Sequence, residues 1–162
     1  MDESQELAQA REEVAAMMER ARQAQAQIAD YTQEQVDELI TAMVWAVARE
    51  DRSEEIAKFT VEETQLGNYA GKYLKIHRKT RATLMDIIND KSVGVIEEDP
   101  ERNIVKIAKP VGVIGALSPS TNPEATPVIK GISAVKGRNA IIIAPHPRAK
   151  LTNKMICDYM RE

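Results

Sequence analysis

Near residue 91 the hydrophobic pattern changes period, and this change divides the chain. Before it, Leu7, Ala10, Val14, Met17, Ala21, Ala24 and Ile28 recur at alternating steps of three and four, the spacing of one helical face, with charged residues elsewhere. Such a stripe predicts a helix that packs on something. Thr32 followed by Gln35 is a capping-box start, and Val36, Leu39, Ile40, Met43, Val44 and Val47 carry a second amphipathic helix to about Arg49. A third helix is expected from near Ser53 to a stop at Gly67. Tyr69, Tyr73, Ile76, Thr80, Leu84 and Ile87 mark a longer fourth one running into Asp90. The basic patch on its outer side, Lys75, Arg78, Lys79 and Arg81, reads as a solvated face or as a ligand contact.

After Lys91 the segments are short and rich in Val and Ile. Ser92 to Glu97 and Asn103 to Ala108, separated by the turn-forming Glu98, Asp99, Pro100, Glu101 and Arg102, predict a β-hairpin that Lys109 and Pro110 end. Val111 to Leu117 (VGVIGAL) is a continuous apolar strand. The polar loop SPSTNP follows, then a helix from about Glu124 to Lys136, a stop at Gly137 and a second apolar strand, Ala140 to Ala144. Strands apolar on both faces belong in a buried parallel sheet, so this is a βαβ unit and the fold class is α/β after a helical preface. A last helix, about Lys150 to Arg161, starts a second crossover. Two parallel strands are too few to bury their own faces, which leads us to expect the front part of a larger domain, or strands supplied by another chain.

Composition narrows the function classes. At 162 residues, 43% apolar and 29% charged, the chain has the make-up of an ordinary soluble domain. There is no run of about 18 apolar residues, and the N-terminus is acidic rather than basic and apolar, so a cytoplasmic protein is expected, without a membrane span. One cysteine, Cys157, and two separated histidines, His77 and His146, give no basis for a metal site. A net charge of −3 with 4% aromatic residues argues against nucleic acid as a partner. The charge is uneven: Glu101 to Glu162 holds four acids against ten bases. That excess either reflects solvated faces or meets an anionic ligand such as a phosphorylated cofactor.

In open α/β sheets ligands bind beyond the carboxyl ends of the strands, where helix N-termini present free N–H groups. Two loops lie there, Ser118, Pro119, Ser120, Thr121, Asn122, Pro123 and Pro145, His146, Pro147, Arg148. The first is rich in small hydroxyl and amide side chains and suits a pyrophosphate or an oxyanion. Alternatively, Ser120, Thr121 or Asn122 caps the following helix. The GxGxxG fingerprint is absent, since Gly112 and Gly115 lie within the strand rather than after it.

From Lys109 to Lys150, KPVGVIGALSPSTNPEATPVIKGISAVKGRNAIIIAPHPRAK closely resembles the front of the cofactor-binding domain of CoA-acylating aldehyde dehydrogenases, and TQEQVDELI, VEET and VGVIEEDPERNIVKIAKPVG look like that family too. The resemblance implies an incomplete aldehyde dehydrogenase fold: residues 1–90 as the helical part of the cofactor-binding domain, 91–109 as a hairpin arm shared between subunits of a homo-oligomer, and 110–162 as the first part of a Rossmann-like domain. It implies an enzyme in which a cysteine thiolate attacks a small aldehyde, with NAD (or NADP) as hydride acceptor and coenzyme A as co-substrate. Leu117, Ser118, Pro119, Ser120, Thr121 and Asn122, with Pro145 and His146, would line the cofactor. Asn122 would donate to the oxyanion, although an ungapped match sets Thr121 in the slot of the hydrolytic relatives' asparagine. Those relatives also carry a lysine–proline pair where this chain has Ala144 and Pro145, which favours the acylating branch. The family's nucleophile does not match Cys157, which reads as a packed helical thiol, and the chain alone is expected to be inactive. A fragment of a hydrolytic relative and a short non-catalytic interaction module are the alternatives. His146 reads either as a cofactor contact or as a rigid turn residue, and His77 as structural or solvated.

Overall fold

The computed structural model describes residues 3–162; Met1 and Asp2, where the acidic N-terminus and the 1–90 segment begin, lie outside the described residues. Four helices come first: α1 (Glu3–Ile28), α2 (Gln33–Ala48), α3 (Glu50–Thr64) and α4 (Tyr69–Ile87). The hairpin β1 (Gly94–Asp99) and β2 (Ile104–Ala108) follows, then β3 (Val113–Ser118), α5 (Thr126–Lys136), β4 (Ala140–Pro145), a single 3₁₀ turn (Pro147–Ala149) and α6 (Lys150–Arg161). The α/β class and the element order agree with the pattern of the sequence. Several boundaries do not.

The third helix begins at Glu50, three residues before Ser53, because α2 and α3 share Arg49 as cap. The fourth ends at Ile87 rather than Asp90. The hairpin strands start at Gly94 and Ile104, and β1 carries an irregularity between Val95 and Glu97 that lets it run on to Asp99. The first parallel strand starts at Val113, because Gly112 sits at φ +111°, a backbone geometry outside the strand region. At the capping box, Thr32 Oγ1 accepts from the Gln35 amide at 3.3 Å and Gln35 Oε1 from the Thr32 amide at 2.9 Å.

One core joins the helical preface to the βαβ unit. Ile40, Met43, Val44 and Val47 of α2 pack with Ile56 of α3, Ile76 of α4, Val128 and Ile132 of α5 and Ile156 of α6. Gly131 allows the close approach of α5, since a Cβ there would meet Met43 Cε at 3.2 Å. β3 and β4 pair in parallel from Val113–Ala140 to Ser118–Pro145, with α1 and α5 both packed on the pair. The N-terminal half of the α1 stripe, Leu7 and Val14, is exposed; Ala21 is buried and Met17 and Ile28 half-buried, so only the second half of the helix packs.

The positive excess of the last third has partners inside the chain. Arg138 donates to Ala29 O just beyond α1 at 2.5 Å, Lys136 to Ile88 O just beyond α4 at 2.9 Å, and Arg148 to Thr64 O at the end of α3. Helix C-termini leave carbonyls without partners, and basic side chains satisfy them. Lys136 also pairs with Asp37 at 2.5 Å. Asn139 closes the other end of the unit: its Oδ1 accepts from the amides of Val111 (2.7 Å) and Gly112 (3.0 Å), and its Nδ2 donates to Ala134 O at 3.1 Å.

Candidate functional site

The register of the parallel pair brings both predicted loops to one edge. Ser118 stands beside Pro145, and the His146 amide donates to Ser118 O at 2.9 Å, one step past the ladder. There the first loop turns into α5. It is held by its carbonyls: Lys130 Nζ donates to Leu117 O at 2.6 Å, Lys72 Nζ to Thr121 O at 3.0 Å, and Asn153 Nδ2 to Pro123 O at 3.0 Å. Asn122 O receives the amides of Ala125 and Thr126 at 3.4 and 3.1 Å, forming the first turn.

The helix starts at Thr126, not Glu124, with Ala125 at its cap position and no side-chain cap. Capping by Ser120, Thr121 or Asn122 is therefore corrected: none of the three serves α5. Glu124 is instead fully buried, and its Oε2 meets Lys72 Nζ at 3.1 Å. Lys75 stands 3.8 Å from the other carboxylate oxygen, so one member of the basic patch belongs to this cluster.

Two side chains of this loop remain uncommitted. Asn122 Oδ1 is buried without a hydrogen-bond partner, as is the hydroxyl of Ser118. An unpaired buried amide oxygen is costly, and such groups in a folded protein call for an explanation. Leu117 lies 76% exposed at the mouth of the strand, Pro119 and Thr121 are exposed, and Ser120 is partly so. Across the edge, His146 Nδ1 accepts from the Arg148 amide at 3.1 Å, which places the proton of a neutral ring on Nε2. The α6 N-terminus behind it is filled from within, because Glu63 Oε1 accepts from the Leu151 amide and Oε2 from the Thr152 amide, both at 2.8 Å. Burial pushes the Glu63 carboxyl up, but these bonds and the Thr152 hydroxyl outweigh it and hold the group below its usual range.

The remaining candidates lie elsewhere. Cys157 sits half-buried in α6, and burial raises its thiol, with Arg161 opposing and Asp158 adding to the shift. His77 packs on Tyr73, with ring centroids 4.5 Å apart, and its Nε2 lies 2.9 Å from Ser53 Oγ. Its pKa is lowered, first by burial and then by Arg81. Among the described residues no group of three or more His, Cys, Asp or Glu could hold a metal, and no helix is long and apolar enough to cross a membrane.

Lys72, Glu124 and Asn153 were not singled out by the sequence. For Lys72 a signal existed, since it lies four residues before Ile76 on the stripe that continues to Thr80, and a charge on a buried stripe asks for a partner. Glu124 read as an ordinary acid at a helix start, and for Asn153 no signal is visible.

Comparison with known proteins finds the model of the aldehyde dehydrogenase family matching residues 4–162. A sulfoacetaldehyde dehydrogenase of an Acholeplasma species is 48% identical over 145 residues, covering 90% of this chain and 30% of that protein. Among solved structures, an acetylating aldehyde dehydrogenase from Geobacillus thermoglucosidasius superposes with a TM-score of 0.84 at 32% identity, over 95% of this chain and 34% of that one. A propionaldehyde dehydrogenase from Rhodopseudomonas palustris, solved with bound CoA and an acylated cysteine, gives 0.72 at 27% identity, over 91% and 34%. The chain thus spans about a third of the length of these proteins.

Proposed function

Because the chain belongs to the aldehyde dehydrogenase family, we propose that it is the N-terminal portion of a CoA-acylating member, converting a small aldehyde, CoA and NAD into an acyl-CoA, NADH and a proton. The observation that carries this reading is the loop after β3, whose carbonyls are tied down while Asn122 keeps a buried oxygen unpartnered and caps nothing. That loop suits a ligand with both donors and acceptors. When bound, the nicotinamide accepts the hydride from the substrate. Leu117 and the loop through Asn122, with Pro145 and His146 opposite, would hold and orient it. The Asn122 side-chain amide would donate to the oxyanion that develops on the aldehyde's carbonyl oxygen, with Thr121 as the alternative one residue earlier.

The nucleophile belongs to a segment outside these residues. In this reading Cys157 is a packed helical thiol rather than the nucleophile, which fits the upward push that burial gives its thiol. In this reading residues 1–90 and 110–162 are parts of the cofactor-binding domain, and 91–109 is an arm between subunits of a cytoplasmic homo-oligomer. The exposed Val95, Ile104, Val105 and Ile107 of the hairpin favour such an arm. The test is NADH formation from a panel of aldehydes with NAD and CoA. Residues 1–162 alone should give none, and the complete enzyme should turn over only with CoA present. Turnover by the short chain that Cys157→Ser abolishes would overturn the reading.

A further inference from the structure

The Lys72–Glu124 pair is the most deeply buried ionic contact among the described residues, with Lys72 2% and Glu124 0% exposed. Burying an ion pair is an expensive way to fill a core, which apolar residues of similar volume do as well or better. Its geometry suggests another use. The ammonium divides its protons between the Glu124 carboxylate at 3.1 Å and the Thr121 carbonyl at 3.0 Å, so the carboxylate aims the ammonium at the loop backbone. A peptide unit is planar, with its C=O and the next N–H pointing in opposite directions. Fixing the Thr121 carbonyl toward Lys72 therefore turns the Asn122 N–H away from α4. Two residues on, Asn153 of α6 holds the Pro123 carbonyl from another direction. Asn122 lies between two carbonyl tethers donated by different helices, and it has no side-chain bond of its own to set its place.

We propose that Lys72, aimed by Glu124, and Asn153 are positioning residues that hold the peptide plane entering Asn122 and the plane after Pro123, and so set where Asn122 meets the reacting carbonyl. This rests on the reading of the loop given above. A displacement of about 1 Å at a reacting centre can cost on the order of 10²-fold in rate, so losing a tether should slow chemistry far more than it loosens the cofactor.

The test uses the complete enzyme that carries this segment, starting from wild-type CoA-dependent turnover. An inactive wild type would bring down the functional reading, and this inference with it. With an active wild type, the double variant Lys72→Met and Glu124→Leu removes both charges together and leaves no unpaired ion in the core. We expect kcat to fall by roughly 10- to 100-fold with KM for NAD within about threefold, and the primary deuterium isotope effect on a 1-deuterated aldehyde to rise as hydride transfer becomes limiting. A partly unfolded preparation would lower apparent kcat but leave the isotope effect unchanged, and that outcome would overturn the proposal. Asn153→Ala tests the second tether without touching the ion pair and decides the matter should the double variant not fold. A lowered kcat with a raised isotope effect supports the proposal, and wild-type values for both overturn it.

Discussion

The chain contains two ribbons of two strands each, built from the same Val- and Ile-rich material, and they have opposite surroundings. In β1 and β2 the side chains of Val95, Ile96, Ile104, Val105 and Ile107 are exposed. In β3 and β4 the residues from Val113 to Ile114 and from Ile141 to Ile143 are half-buried, while Ala116 and Ala140 are buried. The difference follows from connection. An antiparallel pair can be joined by the short turn after Asp99, leaving nothing that must lie on its faces, whereas a parallel pair needs a crossover, and the crossover helix covers a face by construction. Parallel pairing therefore brought both a shield, α5, and a loop entering it at the carboxyl edge, where the candidate site lies. The hairpin acquired neither and shows apolar surface instead.

The comparison can be broken first at the loop. In the complete enzyme, Asn122→Ala should lower kcat by roughly 10²- to 10³-fold if the side chain donates to the oxyanion. Since Asn122 does not cap α5, the melting temperature should barely move. Thr121→Ala, measured alongside, decides the register: a loss confined to Thr121 moves the donor one residue earlier, and a loss in neither removes the loop from the chemistry.

Next comes packing. Ile132→Ala, in the fully buried face of the crossover helix, should destabilise by about 2–5 kcal/mol in denaturant titrations. Ile107→Ala in the hairpin should change the stability of a single chain by only about 0.5 kcal/mol. An equal cost for both would mean that the hairpin is covered in solution, and sedimentation of wild type against Ile107→Lys would show whether a second copy covers it.

A smaller effect concerns the α6 N-terminus. The folded Glu63 carboxyl lies below its unfolded value, so its contribution is fully present above the unfolded pKa of about 4.3 and fades as pH falls through the lower folded value. Glu63→Gln should cost about 0.5–2 kcal/mol at neutral pH, as for a lost helix cap, and flatten the acid limb of the stability curve. An unchanged acid limb would remove the capping role. The least effect is expected at Cys157, where thiol reagents should react more slowly than with the denatured chain, consistent with a thiol raised by burial.

Elements made by local rules were legible in the sequence. The capping box at Thr32, the βαβ order, the hairpin and the edge carrying Ser118 to Asn122 all follow from periodicity and turn chemistry, which act over a few residues. The short hydroxyl- and amide-rich loop could be recognised for the same reason. Its supports could not, because Lys72 lies 49 residues from Thr121, and Asn153 lies 30 from Pro123 on a helix whose stripe gives no warning.

By itself the sequence determined which segments are helices, which are strands, and the order in which they follow. Only the tertiary structure decided which polar groups are buried and paired. Lys136, Arg138 and Arg148 look like solvated charge along the chain, yet each donates to a carbonyl at or just past the end of another helix. Glu124 looks like a first-turn acid and lies in the core against Lys72. Helix and strand formation is fixed by backbone sterics and the spacing of apolar residues, whereas the partner of a buried charge is set by which distant element folds against it.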